Sequence, residues 1–173
     1  MTPPSQEAVD QALSVLHRFL ATNGPNAMLG AIPSYENDEM RGEGDDISMN
    51  PLQYHATIIT RARHCWELLS PDYILSNVEL PPGRGKGKVG DNAWGVLGWF
   101  VEAFEKEAIA GGGASSSLAN QLPKSASGIK TAMDAPLDIV IEAFAEPLDG
   151  QKVELGRRLL NLVRRVWFSY VSF

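Results

Sequence analysis

With 173 residues, 44% of them hydrophobic, the chain is long and apolar enough to form one globular domain, which excludes a wholly disordered protein. Its net charge of -6 at pH 7 disfavours nucleic acid as the main partner, and its one cysteine, Cys65, excludes an internal disulfide framework. No apolar run reaches the roughly 18 residues of a membrane span, and the start of the chain lacks a signal-peptide pattern. We therefore expect a soluble intracellular domain, cytoplasmic or nuclear and not secreted.

The first predicted helix runs from Ser5 to about Asn23. Ser5 can act as its N-cap after two prolines, and Gly24-Pro25 ends it. Six apolar side chains recur at helical spacing on one face that we expect to be buried: Val9, Ala12, Leu13, Leu16, Phe19 and Leu20. Residues 26–29 can add one more helical turn before the chain enters an acidic stretch.

The second predicted helix begins at Asn50-Pro51, an N-cap followed by proline at the first helical position, and runs to about Leu69. Its apolar residues recur at helical spacing, which predicts one straight amphipathic helix. On that helix His55 and Cys65 fall in the apolar arc and are expected to pack in the core, whereas His64 faces the polar side. Their spacing fits neither a zinc ligand set nor a nucleophile–base pair.

The third predicted helix spans about Ala93 to Ile109, with Asp91 or Asn92 as its cap, and a triple glycine at 111–113 ends it. The helix is apolar around most of its circumference, which is typical of a helix at the centre of a fold. We expect four aromatic side chains of the second and third helices to form the core: Trp66, Trp94, Phe100 and Phe104.

Two further helices follow. A short, strongly apolar one begins near Asp134, with Pro136 in its first turn, and ends before Pro147. The last helix starts around 148–150 and continues towards the end of the chain. Its apolar face carries Leu155, Leu159, Leu162, Val163, Val166 and Tyr170. Its opposite face carries a basic stripe of Arg157, Arg158, Arg164 and Arg165.

The last eight residues are rich in apolar side chains. Phe168 projects near the middle of the arginine face, and residues 166–173 end at Phe173 without a polar tail. Three interpretations stay open: this segment packs against the body of the domain, the sequence is a fragment whose next helix is missing, or the aromatic side chains contact a partner. The alternation of apolar and polar residues also allows an extended strand.

Glycine and proline concentrate in three connections between the helices. These are an acidic loop at 30–50, a basic glycine-rich loop at 81–92 and a flexible Gly/Ser-rich loop at 111–130. Five amphipathic helical segments and no convincing strand predict a single all-α domain over residues 1–173. It is either an irregular helical bundle with long flexible loops or a fragment of a HEAT-like α-solenoid, since no fixed-period repeat supports a regular repeat family.

One stretch imitates a phosphate-binding motif. Residues 85–90 match G-x-G-x-x-G directly before a helix, but Pro81-Pro82 interrupts any strand that could lead into the motif, and no second βα unit follows. The acidic loop does not match the ligand positions of an EF-hand. Because no catalytic triad, metalloprotease or kinase motif is present, the sequence predicts no catalytic residue, metal or cofactor.

We therefore expect a non-catalytic protein-interaction or scaffold module. The residues predicted to contact the partner are Arg157, Arg158, Arg164, Arg165, Phe168 and Phe173. The partner would be an acidic protein or another part of the same, larger chain, with membrane, nucleic acid and small molecules disfavoured. Two alternatives stay open. The arginines form a solvated surface paired with the acidic residues of 36–46, or the loop 83–90 holds an anionic ligand in an enzyme or ligand-binding domain.

Overall fold

The fold is built from helices in the computed structural model, which describes residues 6–33, 62, 64–71, 88–122 and 134–171. Within these ranges the α-helices are α1 (Gln6–Asn23), α2 (Pro25–Leu29), α3 (Trp94–Ala110), α4 (Ser116–Asn120), α5 (Asp134–Ala145) and α6 (Gly150–Val171). Two short 3-10 helices, Cys65–Leu69 and Asp91–Ala93, accompany them, and the same ranges contain no strand. The prediction of an all-α bundle is confirmed, whereas the HEAT-like solenoid stays a prediction.

Helix α3 lies at the centre of the bundle, as its apolar circumference predicts. It contacts α1, α2, α4 and α6, and its Leu97 and Phe104 side chains are fully buried. The centroid of the Phe104 ring lies 6.3 Å from that of Trp66 and 6.5 Å from that of Phe100. The predicted aromatic core is therefore confirmed, with Trp94 partly buried at its edge.

The two ends of α3 differ in how well they were predicted. The predicted side-chain cap is wrong, because α3 follows the 3-10 turn Asp91–Ala93 and the Ala93 position supplies no side-chain hydrogen bond. The predicted glycine end is confirmed. Gly112 has a φ of 69°, which glycine adopts without a Cβ clash, and the Gly113 N–H donates to the Ala108 carbonyl at 3.0 Å.

Helix α1 packs on α3 at Gly95. A Cβ at this position would overlap the Leu13 side chain, so the glycine leaves the room that the leucine occupies. Leu20 is buried as predicted, but Phe19, predicted on the same buried face, is 50% exposed. The predicted arc is too wide because only the side of α1 centred on Leu20 turns towards α3, and Phe19 lies at the edge of that arc.

Polar contacts also join α1 to α3. The Trp99 Nε1–H donates to the Leu16 carbonyl at 3.0 Å. The Glu102 carboxylate lies 2.7 Å from Lys106 Nζ on the same helix and 3.0 Å from His17 Nδ1 on α1. The hydrogen bond from Lys106, with the nearby charges of Lys106 and His17, lowers the pKa of Glu102 below its ordinary value despite some desolvation.

The lowered pKa of Glu102 predicts an acid-dependent contribution to stability. A carboxyl with a lowered folded-state pKa stabilises the fold above its unfolded-state pKa, about 4.3 for glutamate, and this contribution disappears as the pH falls through the folded value. The stability difference between wild type and Glu102→Gln, measured by urea unfolding, should therefore shrink as the pH falls below about 4.3. In a Lys106→Met background the dependence should be weaker. A difference that stays constant with pH would contradict the prediction.

The backbone at 64–69 departs from the predicted straight helix. His64 is extended, with φ of -155° and ψ of 163°, and its Nδ1 accepts a hydrogen bond from the Glu67 N–H at 3.3 Å. The Cys65 N–H would bond the carbonyl four residues earlier in a continuous α-helix, but it donates to Gln121 Oε1 at 2.9 Å instead. The prediction of one helix through to the end of this segment is therefore wrong, and His64 caps a 3-10 turn. The part of that predicted helix before residue 62 lies outside the described residues.

Residues 114–122 are packed against the bundle, which corrects the prediction of a flexible loop over 111–130. Helix α4 begins after Ser115, whose buried hydroxyl accepts a hydrogen bond from the Leu118 N–H at 3.0 Å, as an N-cap does. Leu118 is fully buried. Residues 123–130 lie outside the described part of the chain.

Gln121 follows α4 and connects three distant segments. Its Oε1 accepts from Cys65, its Nε2 donates to the Pro33 carbonyl at 2.8 Å, and its own carbonyl accepts from Trp66 Nε1 at 3.0 Å. The side chain is 2% exposed, so all of these bonds lie in the interior. Both the oxygen and the nitrogen of this buried amide are hydrogen-bonded. If the side chain were replaced, water could not reach the interior to take over these bonds, so the contacts depend on glutamine at this position.

Candidate interaction surface

Helices α5 and α6 form a hairpin with a short connection whose bounds match the prediction. Asp149 Oδ1 accepts hydrogen bonds from the Gln151 and Lys152 N–H groups at 3.1 and 3.2 Å, as an N-cap does. Lys152 Nζ donates to Glu146 Oε2 at 2.5 Å and lies 5.0 Å from the Trp94 ring centroid. The hydrogen bond to Glu146 raises the pKa of Lys152. These contacts fix where α6 begins and how it leaves the connection.

The two helices approach each other closely at Gly156. A Cβ on Gly156 would lie 2.7 Å from the Ala143 Cβ, so any larger residue would push α5 and α6 apart. The inner face of α6 is buried at four of the predicted positions: Leu159, Leu162, Val163 and Val166. Burial of this face determines which side chains of α6 face outward.

Two of the predicted partner-binding arginines form ion pairs within the chain. Arg158 reaches α3, where its Nε and Nη2 donate to Glu105 Oε1 and Oε2 at 3.0 and 2.5 Å. The hydrogen bond to Glu105 raises the pKa of Arg158. Arg157 donates to Glu154, one turn earlier on the same helix, and its side chain is 67% exposed. Arg158 therefore holds α6 on α3, whereas Arg157 lies on the open surface.

Replacing Arg158 with methionine should lower the free energy of unfolding by about 1–2 kcal/mol. The change removes a two-point, partly buried pair between helices and leaves Glu105 without that partner. Arg157→Met should change it by less than about 0.5 kcal/mol, because that pair is exposed and lies within one helix. Urea unfolding followed by circular dichroism measures both. Equal losses in the two variants would contradict the distinction.

The remaining predicted residues lie near the end of the described chain. Arg164 and Arg165 are exposed on the outer face of α6, and no carboxylate of the described ranges forms an ion pair with either. The Arg164 guanidinium lies 5.6 Å from the ring centroid of Phe168, which is 57% exposed. Because α6 is helical through residues 166–171, the alternative of an extended strand is wrong there. Phe173 lies outside the described residues.

Exposed apolar side chains, which the sequence reasoning missed, lie on the same hairpin. They are Ile141 and Phe144 of α5, Leu148 of the connection, and Leu160 and Trp167 of α6. The Phe144 ring lies beside Gly156, since a Cβ there would be 3.7 Å from Phe144 Cε2, so this ring borders the contact between the two helices. We call these five side chains, together with Arg157 and Arg164, the α5–α6 face.

The end of the predicted glycine-rich loop is attached to α5. The Lys88 and Val89 N–H groups both donate to Glu142 Oε2, at 2.5 and 3.3 Å. Lys88 Nζ lies 3.1 Å from Asp138 Oδ2. An anion bound to these two amides would have to displace Glu142, and residues 83–87 of the motif lie outside the described part.

The nucleophilic side chains near the core have structural roles. Burial raises the pKa of the Cys65 thiol well above its ordinary value. The Glu107 carboxylate accepts hydrogen bonds from the hydroxyls of Ser115, Ser116 and Ser117, the last two at 2.9 and 2.7 Å. These bonds attach the start of α4 to α3. In the residues that the structure describes, no three His, Cys, Asp or Glu side chains are grouped so as to hold a metal ion.

Fold and surface together define an all-α domain that exposes an apolar and basic face on one helical hairpin. No family model, curated protein or solved structure matches the chain. Among the helices described, none is long and apolar enough to cross a membrane. A helical bundle supports many functions, so the fold alone does not indicate which one this chain has. Function is therefore argued from the residues of the α5–α6 face.

Proposed function

We propose that this chain is a non-catalytic protein-interaction or scaffold module that binds a protein partner through the α5–α6 face. The observation that carries the proposal is the grouping of five exposed apolar side chains on one helical hairpin, four on its helices and one in the connection. Scattered apolar residues are ordinary on a protein surface, whereas a contiguous group bordered by charge is typical of a site that another protein covers.

The composition of the face supports a protein partner. Tryptophan and arginine are enriched among the residues that contribute most to protein–protein binding, and Trp167 and Arg164 are both exposed here. Arg165 and Phe168 extend the same surface along the outer side of α6. Arg158 is the exception among the predicted residues, because its guanidinium already holds α3.

The chemistry of the interior supports a non-catalytic role. A nucleophile needs an exposed, activated group, but burial holds the Cys65 thiol in its neutral form, and the three serines donate to one carboxylate with no described histidine bonded to them. Glu107 acts there as an acceptor that fixes α4. These groups are used for folding. The described residues expose more large apolar side chains on the hairpin than on α1, which exposes Val15 and Phe19, or on α3, which exposes Ile109.

Affinity capture with the full chain tests the proposal. Proteins retained by the wild type should be lost with Ile141→Glu and with Arg164→Glu, because each change alters the α5–α6 face at an exposed position. The matched control variants are Val15→Glu and Arg18→Glu on α1, an exposed apolar and an exposed basic residue of another helix. Circular dichroism first verifies that all four variants are folded.

We expect both α5–α6 variants to abolish capture and both α1 variants to preserve it. If the α5–α6 variants retain the same proteins as the wild type, the proposed function at this face is wrong. Loss of capture with the α1 variants alone would assign binding to α1 and would also overturn the proposal.

A further inference from the structure

The shape of the α5–α6 face indicates what kind of element covers it, an inference that rests on the proposed function. On α6, Leu160 and Trp167 lie four and eleven residues after Gly156, a spacing that keeps all three on one side of a helix. That side faces α5, because Gly156 meets Ala143 there. The exposed apolar row of α6 therefore runs along the seam between the two helices.

Helix α5 supplies the second row. Leu137, Ile141 and Phe144 recur at intervals of four and three, which places them on one side of α5, and Leu148 follows in the connection after the helix ends at Ala145. Phe144 meets α6 beside Gly156, so the α5 row borders the seam at Phe144, and the floor of the seam is a glycine and an alanine. Ile141 lies about 160° around α5 from Ala143 and faces away from the seam. Two apolar rows with small residues between them form a groove that accepts a third helix.

The length of the groove fits a short helical segment. From Gly156 to Trp167 the path along α6 covers about 16 Å, at about 1.5 Å per residue. A partner helix of about three turns spans the same distance. Such a segment buries its own apolar face only if the residues facing the groove recur at helical spacing, so the partner helix must be amphipathic.

The positive charge of Arg157 and Arg164 along the α6 border of the groove indicates which charge the partner helix carries beside its apolar stripe. Arg157 and Arg164 are seven residues apart on α6, about 10 Å along the helix axis. Between Leu155 and Val171 the sequence of α6 contains four arginines and no acidic residue, although the whole chain has a net charge of -6 and Glu154, the partner of Arg157, comes directly before this stretch. Carboxylates two turns apart on the partner would meet both arginines, with Arg157 exchanging its exposed pair with Glu154 for the partner's carboxylate.

Two other occupants fit this charge pattern less well. A second copy related by a two-fold axis through α6 would bring the arginines of both chains together. An anionic bilayer would meet the carboxylates of α5 as well, because Asp138 and Glu142 lie on the same hairpin. A helix lying in the groove can direct its carboxylates to the arginine border alone, away from Asp138 and Glu142 of α5.

We propose that the partner contacts this groove with an amphipathic helix that has an apolar stripe of about three turns and acidic residues seven positions apart along one edge. Leu160, Trp167 and Phe144 contact the stripe. Arg157 and Arg164 contact the carboxylates.

Synthetic peptides test this directly by fluorescence anisotropy with the full chain. The first is a labelled 21-residue helix with leucines at helical spacing and glutamates seven positions apart on one edge. The second has lysines in place of those glutamates, and the third has the composition of the first with its leucines scrambled. The acidic helix should bind at least tenfold more tightly than either of the others, and its affinity should fall with added salt.

Charge reversal gives the matched test. The variant carrying both Arg157→Glu and Arg164→Glu should lose at least tenfold in affinity for the glutamate peptide and regain binding to the lysine peptide. Arg18→Glu should change neither. The proposal is overturned if the double variant binds the glutamate peptide as tightly as the wild type does. It is also overturned if the wild type binds all three peptides equally.

Two further measurements separate the other occupants. Co-sedimentation with vesicles of phosphatidylcholine and phosphatidylserine, with no peptide binding, would assign the face to a membrane. If the wild type dimerises in analytical ultracentrifugation and Ile141→Glu abolishes the dimer, the face binds a second copy of this chain. If Ile141→Glu and Arg164→Glu abolish protein capture while no peptide binds, the proposed function stands and only the acidic helix is wrong.

Discussion

Replacing Phe104 with alanine is expected to lower the free energy of unfolding by about 3–5 kcal/mol, the usual cost of deleting a buried aromatic ring. The ring has no exposed surface and lies between Trp66 and Phe100 on the central helix. Because α3 is packed on several sides, its neighbours cannot all move in to fill the space, so a cavity remains. For a domain with a total stability of about 5–15 kcal/mol, this loss is a large fraction.

Urea unfolding followed by far-ultraviolet circular dichroism measures the Phe104→Ala effect. The matched control is Phe168→Ala, since that ring is 57% exposed and lies near the end of α6. The control should cost about 1 kcal/mol or less. A loss below about 1 kcal/mol for Phe104→Ala would show that Phe104 is not a core residue.

Replacing Gln121 with leucine is expected to lower the free energy of unfolding by about 2–4 kcal/mol. Leucine has a similar size but no polar atoms, so the Cys65 N–H and the Pro33 carbonyl would each lose a buried hydrogen-bond partner. Each orphaned buried group costs about 1–3 kcal/mol. The bond from Trp66 should survive, because it goes to the main-chain carbonyl of residue 121.

The matched control for Gln121→Leu is Gln151→Leu, an exposed position in the first turn of α6. The same change of side chain there should alter the free energy of unfolding by less than about 0.5 kcal/mol. Similar losses in the two variants would mean that the hydrogen bonds of Gln121 do not stabilise the fold. Urea unfolding of the two variants and the wild type under one set of conditions makes the comparison.

Periodicity predicted the helices that carry a long, uninterrupted pattern. The predicted helices at 5–23, 93–109, 134–146 and 148–173 correspond to α1, α3, α5 and α6, because each has an apolar stripe between clear start and stop residues. Burial of Leu20 and of the inner face of α6 followed from the same pattern. These are local properties, and local sequence is sufficient to determine them.

The contacts that periodicity did not predict are those made between separate helices and turns. His64 lies within a helical pattern, yet the neighbouring Cys65 N–H is bonded by Gln121, 56 residues away. Ser115 begins a packed helix inside a stretch of small and polar residues, because Glu107 binds the three serines there. The partner of Cys65 lies outside any local window, whereas Glu107 is only eight residues before Ser115 but belongs to a different helix, which a single-helix pattern does not take into account.

The candidate site was predicted in part for the same reason. The outward position of Arg157, Arg164 and Arg165 followed from helical spacing, but the engagement of Arg158 depends on Glu105, 53 residues earlier. The exposed row on α5 was missed because that helix is apolar on both sides. The close contact between Gly156 and Ala143 determines which side is buried, and that contact belongs to the packing of two helices.

The bonds of Gln121 also imply an order of assembly. They connect it to residues 55, 56 and 88 positions earlier in the chain, whereas α5 and α6 are joined by a short connection. Closing long loops costs more chain entropy, so we expect the hairpin to form first and the Gln121 bonds to form after the rate-limiting step. Gln121→Leu should then accelerate unfolding and leave the folding rate nearly unchanged. The surface proposed to bind a partner would thus be complete before Gln121 is connected to Pro33, Cys65 and Trp66.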